Sequence, residues 1–234
     1  MLRGRDGLPE RESHLFSWKV VREVIKVIQD EKLEDVSIYI SKAEDRILKN
    51  IGVSDFYYAL KRFDTETFTH SQEVAGLAVF IGVKRGFSEE RLVNLAISGY
   101  LHDIGKIFTG IGIIGKKGCL TAKEYTIVKE HPVVGYRHLK NFIQDEEILS
   151  GILQHHERLD GSGYVDQMRK DEISEFGKVI AVADVFCAMT SVRSYKSAYP
   201  PMQVIQQMVY SEGFDHELIN ILVSFYSDGK LKVS

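Results

Sequence analysis

The sequence predicts an all-α protein built as a helical bundle, and two observations point to this fold class. Apolar residues recur at steps of three and four along most of the chain, which is the period of an α-helix. Only four prolines occur, and three of them stand where a helix can begin: Pro132, Pro200 and Pro201. With 234 residues, the chain is long enough to bury a core without disulfides or a structural metal.

The apolar pattern marks helical segments in chain order. They lie within residues 20–28, 74–81, 92–101, 148–153, 179–188, 204–209 and 218–223. Two helix starts are also visible, because Ser88 precedes two glutamates and Thr121 with Glu124 has the spacing of a capping box. The segment VSIYI at residues 36–40 instead alternates like a short β-strand, which is too brief to change the predicted class.

Composition and charge exclude several kinds of protein. Hydrophobic residues make up 44% and charged residues 27% of the chain, as in ordinary globular proteins. A net charge of -3 provides no basic surface for a nucleic acid polymer. No apolar run approaches the ~20 residues that span a bilayer, and the N-terminus lacks the apolar region of a secretory signal. Cys119 and Cys187 match no paired spacing, so we expect a thiol-reduced, cytoplasmic protein without membrane insertion.

The character of the sequence changes near residues 52–65. Before this point the chain is charged and amphipathic, and it carries no cluster of candidate ligands. After this point come nearly all the residues that suggest chemistry. We therefore expect a mainly helical N-terminal extension or regulatory segment over residues 1–60 and a catalytic domain over residues 61–234.

Histidine and aspartate residues of the second region form a candidate metal centre. Neutral imidazoles and carboxylates suit zinc, manganese or iron. One carboxylate, Asp184, lies inside the apolar run VIAVADVFCAM, where an isolated charge would be very costly. Alone it could be a helix cap or a salt-bridge partner. The full set of candidates makes a shared metal-binding role the better interpretation: His70, His102, Asp103, His131, His155, His156 and Asp184.

These residues suffice for two metal ions. One ion would be held by His70, His102, Asp103 and Asp184, and the other by His131, His155 and His156. Asp103 is the natural bridge between the ions, because a carboxylate has two oxygens. Glu66 precedes His70 by one helical turn and shares its face, so it is either a further ligand, a group that orients His70, or a solvated acid. The remaining histidines have no such company and are interpreted as structural or exposed: His14, His138 and His216.

The sequence from Glu66 to Asp215 resembles an HD-GYP domain, a subgroup of the HD phosphohydrolase superfamily. The matching motifs follow one another in the family's order: His70-Ser71, LHDIGK, KEHPVVGYRHL, HHERLDGSGY, VADVFCAMTSVRSYK and Phe214-Asp215. This resemblance implies an HD-domain helical bundle that hydrolyses the cyclic dinucleotide c-di-GMP to linear pGpG, with GMP as a further product.

The resemblance also implies roles for the matching residues. It assigns the metal ligands to the seven candidates above and associates Glu66 with a third ion, so two or three divalent metals are expected, iron or manganese foremost and zinc as an alternative. It assigns substrate phosphates to Arg193 and Lys196 and further substrate contacts to Tyr164 and Asp160. It places Asp103 at the catalytic centre together with Lys106, for which a phosphate contact and a structural salt bridge are both open.

The chain departs from the HD-GYP pattern in two loops. The Gly-Tyr-Pro element reads Gly163-Tyr164-Val165, and residues 166–170 replace the glycine-bearing turn that usually follows. Because proline fixes φ and glycine permits positive φ, we expect an altered path or greater mobility here, with consequences for partners and affinity. Three glycines in residues 110–115 also suggest a flexible lid.

Two other functions are left open. The first is an HD-domain enzyme for another nucleotide or cyclic dinucleotide, which the altered loop favours. The second is a weakly catalytic sensor that binds c-di-GMP and signals through the N-terminal helices. Loss of a metal ligand would favour the sensor, and no ligand is lost. The sequence also leaves open a homodimer or a regulatory partner that acts through the N-terminal region.

Overall fold

The computed structural model describes residues 33–114, 116, 118–192 and 198–227. In this part of the chain, α-helices are joined by short loops and two 3₁₀ helices, and no β-sheet occurs. The predicted all-α fold is therefore confirmed. The predicted helical segment at residues 20–28 lies outside the described residues, as do His14, Arg193 and Lys196.

The helices follow one another with few long connections. They are α1 (Leu33–Lys49), α2 (Ile51–Phe63), α3 (Thr65–Lys84), α4 (Glu89–Leu101), α5 (Ile111–Ile114), α6 (Ala122–Lys129), α7 (His131–Leu139), α8 (Glu146–Gln154), α9 (Glu175–Thr190), α10 (Pro201–Val209) and α11 (His216–Ser227). The 3₁₀ helices are Ile104–Phe108, directly after α4, and Lys170–Glu172, before α9.

Helices α3, α4, α8 and α9 form the centre of the bundle. Each packs against at least two of the others, and α3 and α9 are buried on nearly every side. Small residues allow the close approach of α3 and α4, because a Cβ atom added at Gly99 would lie only 2.6 Å from the Cα atom of Ala75. The candidate ligands lie on these helices or at their ends, so the packing of the core determines their positions.

The strand-like alternation at residues 36–40 forms no strand, because this segment lies inside α1. Val36, Ile40, Ala43 and Ile47 are all buried and follow one another at helical spacing. The longer helical period overrides the five-residue alternation, since it presents one continuous apolar stripe to α3 and α4.

The predicted helix starts are confirmed. The Ser88 hydroxyl accepts a hydrogen bond from the Arg91 N–H group at the start of α4. Thr121 and Glu124 form the complete capping box of α6. Pro132 lies in the first turn of α7, and Pro200 and Pro201 lie at the start of α10.

The region before residue 61 contributes to the same hydrophobic core as the rest of the bundle. Buried side chains of α1 and α2, such as Val36, Tyr57 and Leu60, belong to one cluster with residues of α3, α4, α8 and α9. The boundary at residue 60 stays a prediction. No helix in the described part of the chain combines the length and apolar character that crossing a bilayer requires.

Candidate metal centre

Two groups of potential metal ligands lie in the interior of the bundle. The first group comprises Asp103, His131, His155 and His156, and the second comprises His70, His102 and Asp184. Within each group the ligand atoms lie within 4.8 Å of one another. The seven predicted ligands outside Glu66 are thus brought together from helices that are distant in the sequence.

Helix ends orient three of the histidine rings. The Nδ1 atoms of His102, His131 and His155 lie 2.8, 2.7 and 2.8 Å from the carbonyl oxygens of Gly99, Val128 and Ile152, three residues earlier in each case. A carbonyl only accepts, so each Nδ1 carries the hydrogen and each Nε2 presents a lone pair. This backbone contact is the usual way in which a protein orients a metal-binding histidine.

Asp103 lies between the two ligand groups. Its Oδ1 atom is 3.2 Å from the His131 Nε2 atom, and its Oδ2 atom is 3.3 Å from the His102 Nε2 atom. The sequence-based division placed Asp103 with His102, whereas its ligand atoms cluster with His131, His155 and His156. Because its two oxygens face different groups, the position of Asp103 supports the predicted bridging role.

Asp184 completes the second group from α9. Its Oδ1 atom accepts a hydrogen bond from the His70 Nε2 atom at 2.8 Å, and its Oδ2 atom lies 3.9 Å from the His156 Nδ1 atom. The predicted burial of this carboxylate in an apolar run is confirmed. Asp184 therefore faces a histidine with each oxygen, and the hydrogen bond from His70 provides the partner that a buried charge requires.

The buried atoms of the centre fit divalent cations. The His102 Nε2 and Asp103 Oδ1 atoms have no hydrogen-bond partner although both residues are buried. The Nε2 atoms of His131 and His155 lie 3.1 Å apart, and both present lone pairs. Imidazole nitrogens and carboxylate oxygens in this arrangement suit zinc, iron or manganese, so the residues present fit the implied metals.

For His155, His156 and Asp103, the pKa shifts favour the protonation states that metals bind. Burial lowers the pKa of His155 well below its ordinary value, and burial lowers the pKa of His156 to about 3. Burial acts to raise the pKa of Asp103, but the neighbouring His102 ring and Lys106 ammonium outweigh it and hold that pKa well below the ordinary range. For His102, burial acts to lower the pKa, but the neighbouring Asp103 and Asp184 carboxylates raise it overall.

Glu66 lies near the centre but outside both ligand groups. It is exposed in the first turn of α3, where its N–H group donates to the Asp64 carboxylate. It borders a cavity of about 230 Å³ together with His70, Glu73 and Ser191. The association of Glu66 with a third ion stays a prediction.

The other predicted site residues that the structure describes lie outside the two ligand groups: Lys106, Tyr164 and Asp160. Lys106 donates a hydrogen bond of 2.6 Å to the Asp103 Oδ2 atom. The Tyr164 ring stacks on the His156 ring with a centroid distance of 4.6 Å. The Asp160 carboxylate accepts hydrogen bonds from the N–H and hydroxyl groups of Ser162, so it closes its own turn. The substrate contacts assigned to Tyr164 and Asp160 stay predictions.

Glu157 anchors the loop that follows Tyr164, and the sequence analysis gave it no role. Its buried carboxylate accepts hydrogen bonds from the N–H groups of Asp166 at 2.6 Å and Met168 at 3.0 Å. These two bonds fix the path of the altered loop after Tyr164. In the same loop, Gln167 and Lys170 adopt φ values of 56° and 40°, where glycine is usually favoured. The position of Glu157 directly after two candidate ligands is the signal that could have identified it.

Arg158 is a second missed residue. Its guanidinium lies 4.8 Å above the centroid of the Phe214 ring, and it donates hydrogen bonds to the carbonyl oxygens of His155 and Glu157. Burial lowers the pKa of Arg158. Arg158 therefore ties the turn that carries the paired histidines to the segment before α11.

The remaining histidines and the predicted lid lie outside the ligand groups. The His138 ring stacks on Phe108 at 4.0 Å, and His216 is exposed, in agreement with their predicted roles. The short helix α5 (Ile111–Ile114) lies within the glycine-rich segment. Its lid function stays a prediction.

The fold and the paired ligand groups define a helical domain of the HD type. The family model described as HD domain matches residues 59–218, and the chain belongs to this family. The matched region begins near the predicted domain boundary and contains all seven clustered ligands.

Curated relatives agree with this assignment. The chain is 37% identical over 147 residues to a cyclic di-GMP phosphodiesterase of Thermotoga maritima. This match covers 62% of this chain and 40% of the relative. It is 33% identical over 166 residues to a cyclic di-GMP phosphodiesterase of Pseudomonas aeruginosa, with 70% and 40% covered. A 3'3'-cGAMP-specific phosphodiesterase of Vibrio cholerae is 32% identical over 160 residues, with 67% and 37% covered. The chain thus spans about two fifths of the length of these relatives, and its resemblance to HD-GYP domains is confirmed.

Solved structures share the fold. Bd1817 of Bdellovibrio bacteriovorus, an HDG"Y"P protein, superposes with a TM-score of 0.60 at 14% identity and covers 94% of this chain and 81% of its own. The HD domain of the Listeria monocytogenes phosphodiesterase PgpH in complex with cyclic-di-AMP gives a TM-score of 0.55 at 15% identity, with 73% and 93% covered. The predicted HD-domain helical bundle is therefore confirmed.

Proposed function

We propose that this chain hydrolyses c-di-GMP to linear pGpG and then to GMP. The observation that carries the proposal is the meeting of two buried ligand groups at Asp103, whose oxygens face His131 and His102. The relatives named cyclic di-GMP phosphodiesterases support c-di-GMP as the substrate.

The metal ligands would be those of the two groups. The chemistry that divalent ions supply at such a site is neutralisation of the phosphate charge and activation of a water molecule. Five imidazoles and two carboxylates suit iron, manganese and zinc alike, and the resemblance to HD-GYP domains favours iron or manganese, with zinc as the alternative. Glu66, at the edge of the neighbouring cavity, is the candidate ligand for a third ion.

The residues of the chain would prepare the phosphodiester for cleavage. The Lys106 ammonium lies beside Asp103, and its side chain is 20% exposed, so a phosphate oxygen can reach it from the solvent side. A cation in this position stabilises negative charge that develops on the leaving ribose oxygen. Tyr164 forms a wall next to His156, and Glu157 holds the backbone that follows Tyr164. Arg193 and Lys196, outside the described residues, would hold further phosphate oxygens.

A second candidate is another cyclic dinucleotide of the same class. The relative from Vibrio cholerae that is named for 3'3'-cGAMP matches 67% of this chain, and its similarity is close to that of the c-di-GMP relatives. The same ligand groups would serve this substrate, since only the bases differ. Base recognition therefore decides between the two candidates.

The test is turnover by the purified chain after removal of metals and separate anaerobic loading with iron(II) or manganese(II). We expect c-di-GMP to yield pGpG and then GMP on a chromatographic time course. Asp103→Asn should abolish turnover, whereas His216→Gln, a change at an exposed histidine outside both ligand groups, should not. Two bound ions without hydrolysis of any cyclic dinucleotide would overturn the proposal, and tight c-di-GMP binding in that case would favour the sensor. A cytoplasmic location and a homodimer or regulatory partner stay predictions.

A further inference from the structure

An aromatic row leads outward from the metal centre. It begins at the His156 ring, on which the Tyr164 ring stacks at 4.6 Å. The Lys129 Nζ atom lies 5.5 Å from the Tyr164 centroid and 5.2 Å from the Tyr125 centroid. The Lys129 ammonium is thus placed between two tyrosine rings, one beside a metal ligand and one at the surface.

Helix α6 presents Tyr125 and Lys129 without burying either of them. None of the residues of α6 is buried, and Tyr125 and Ile127 remain 51% and 42% exposed. Nevertheless, the helix is tied to the centre, because the Val128 carbonyl accepts the hydrogen bond of the His131 Nδ1 atom. The hydrophobic core does not need the Tyr125 ring, yet the helix that carries it is fixed to the metal-binding residue His131. This position points to contact between Tyr125 and a bound substrate.

We infer that Tyr125, Lys129 and Tyr164 form the subsite for one base of the substrate and that Lys129 selects guanine over adenine. This inference rests on the proposed function and extends it. A tyrosine ring stacks on any base, whereas an ammonium group distinguishes between bases because it only donates hydrogen bonds. Guanine presents two adjacent acceptors, O6 and N7, while adenine presents the N7 acceptor beside the N6 donor.

The distances fit one nucleotide. With the phosphodiester at the two ligand groups, the attached base must lie beyond the ligands but near them. The Tyr164 ring centroid lies 4.6 Å from the His156 centroid and 5.5 Å from the Lys129 Nζ atom. The sum of these two distances is the upper limit for the distance from Lys129 to the His156 ring. That reach is comparable to the separation between a nucleotide's phosphate and its own base. Lys129 is a cation of α6 at this distance, whereas the Lys106 ammonium is bonded to Asp103.

The alternative explanation is that Lys129 only holds the two tyrosines together through cation–π contacts. In that case its loss would loosen α6 and change turnover of every substrate alike. A specificity role instead changes the ratio of turnover between two substrates. The ratio is therefore the decisive quantity.

The experiment compares kcat/KM for c-di-GMP and c-di-AMP in the manganese-loaded chain. Lys129→Met should remove the preference for guanine and lower the ratio of kcat/KM for c-di-GMP to that for c-di-AMP about tenfold. A change of this size is expected when one charged hydrogen-bonding group is lost. Lys129→Gln should move the ratio further toward c-di-AMP, because a glutamine amide pairs with the N6 and N7 atoms of adenine. Lys140→Gln is the matched control, since the Lys140 Nζ atom lies 5.6 Å from the Tyr136 ring on α7 and its loss should leave the ratio unchanged.

Tyr125 is tested separately. Tyr125→Leu should raise KM for c-di-GMP about tenfold with little change in kcat, since stacking stabilises the bound substrate and the transition state alike. Tyr125→Phe should restore the wild-type KM, because the stacking ring is retained. Metal content, measured in each variant, should stay that of the wild type.

Three outcomes would overturn the inference: a wild-type preference for c-di-AMP, an unchanged ratio in both Lys129 variants, or an unchanged KM in Tyr125→Leu. Calorimetry with phosphorothioate analogues of both dinucleotides gives the corresponding ratio of binding affinities without turnover. If the wild type hydrolyses no cyclic dinucleotide, the proposed function fails, and the calorimetric ratio in wild type and Lys129→Met then decides the inference by itself.

Discussion

The Nε2 atoms of His131 and His155 lie 3.1 Å apart in the interior of the bundle, and each ring donates its Nδ1 hydrogen to a backbone carbonyl. Two imidazole lone pairs at this distance repel each other unless a proton or a metal cation is shared between them. The backbone keeps both rings in this orientation, so the arrangement is built into the helix ends. This relationship is the strongest structural argument that the centre holds metal ions.

We predict at least two tightly bound metal ions per chain. Elemental analysis of anaerobically prepared protein checks the number. Removal of the ions with a chelator should lower Tm by at least about 5 °C, because ligands that bind only the folded state stabilise it. Less than one ion per chain after reconstitution would contradict the dinuclear centre.

Asp103→Ala and Arg193→Ala should fail in different ways. Asp103 faces both ligand groups, so its loss should abolish turnover and stable metal binding. Arg193→Ala should leave the metal content unchanged and raise KM about tenfold, as expected for one charged phosphate contact. Metal content and steady-state kinetics of both variants provide the measurement. Metal loss in Arg193→Ala with metal retention in Asp103→Ala would reverse the two roles.

Glu66→Gln tests the third ion, because it removes the charge of the side chain and keeps its shape. If Glu66 binds an ion at the cavity beside His70, the metal content should fall by about one per chain while the other ions stay. Glu212→Gln, at an exposed acid far along the chain, serves as the control. An unchanged metal count with normal turnover would show that Glu66 is a solvated acid or only orients His70.

Glu157→Ala should destabilise the protein by about 2–5 kcal/mol, because the N–H groups of Asp166 and Met168 would lose a charged acceptor. Urea unfolding measures the free energy. The same substitution should raise KM for c-di-GMP, since Glu157 fixes the backbone that follows Tyr164. A change below about 0.5 kcal/mol, the usual range for surface substitutions, would show that these bonds do not anchor the loop.

Gly99→Ala should destabilise the contact between α3 and α4. The added Cβ atom would lie 2.6 Å from the Cα atom of Ala75, so the helices must move apart at a cost of about 1–3 kcal/mol. Gly112→Ala, in α5, meets no atom within 4 Å and should be neutral or slightly stabilising. Equal unfolding free energies of the two variants would argue against tight packing at Gly99.

Much of the fold was accessible from local patterns. Helical periodicity and the Thr121–Glu124 capping box depend on residues within a few positions, so they are visible in the sequence. The segment at residues 36–40 looks like a strand in the sequence because five residues can alternate by chance. Only the buried stripe that continues to Ile47, packed against other helices, decides that it is helical.

The sequence by itself determined the all-α class, the HD-domain resemblance and the identity of the clustered ligands, because residue types and order carry this information. The tertiary structure alone decided which Asp103 oxygen faces which histidine, how Glu157 holds the altered loop, and where Lys129 meets Tyr125 and Tyr164. The physical reason is distance along the chain. Contacts between separate helices and loops depend on how the core packs, and no local pattern of residues records that packing.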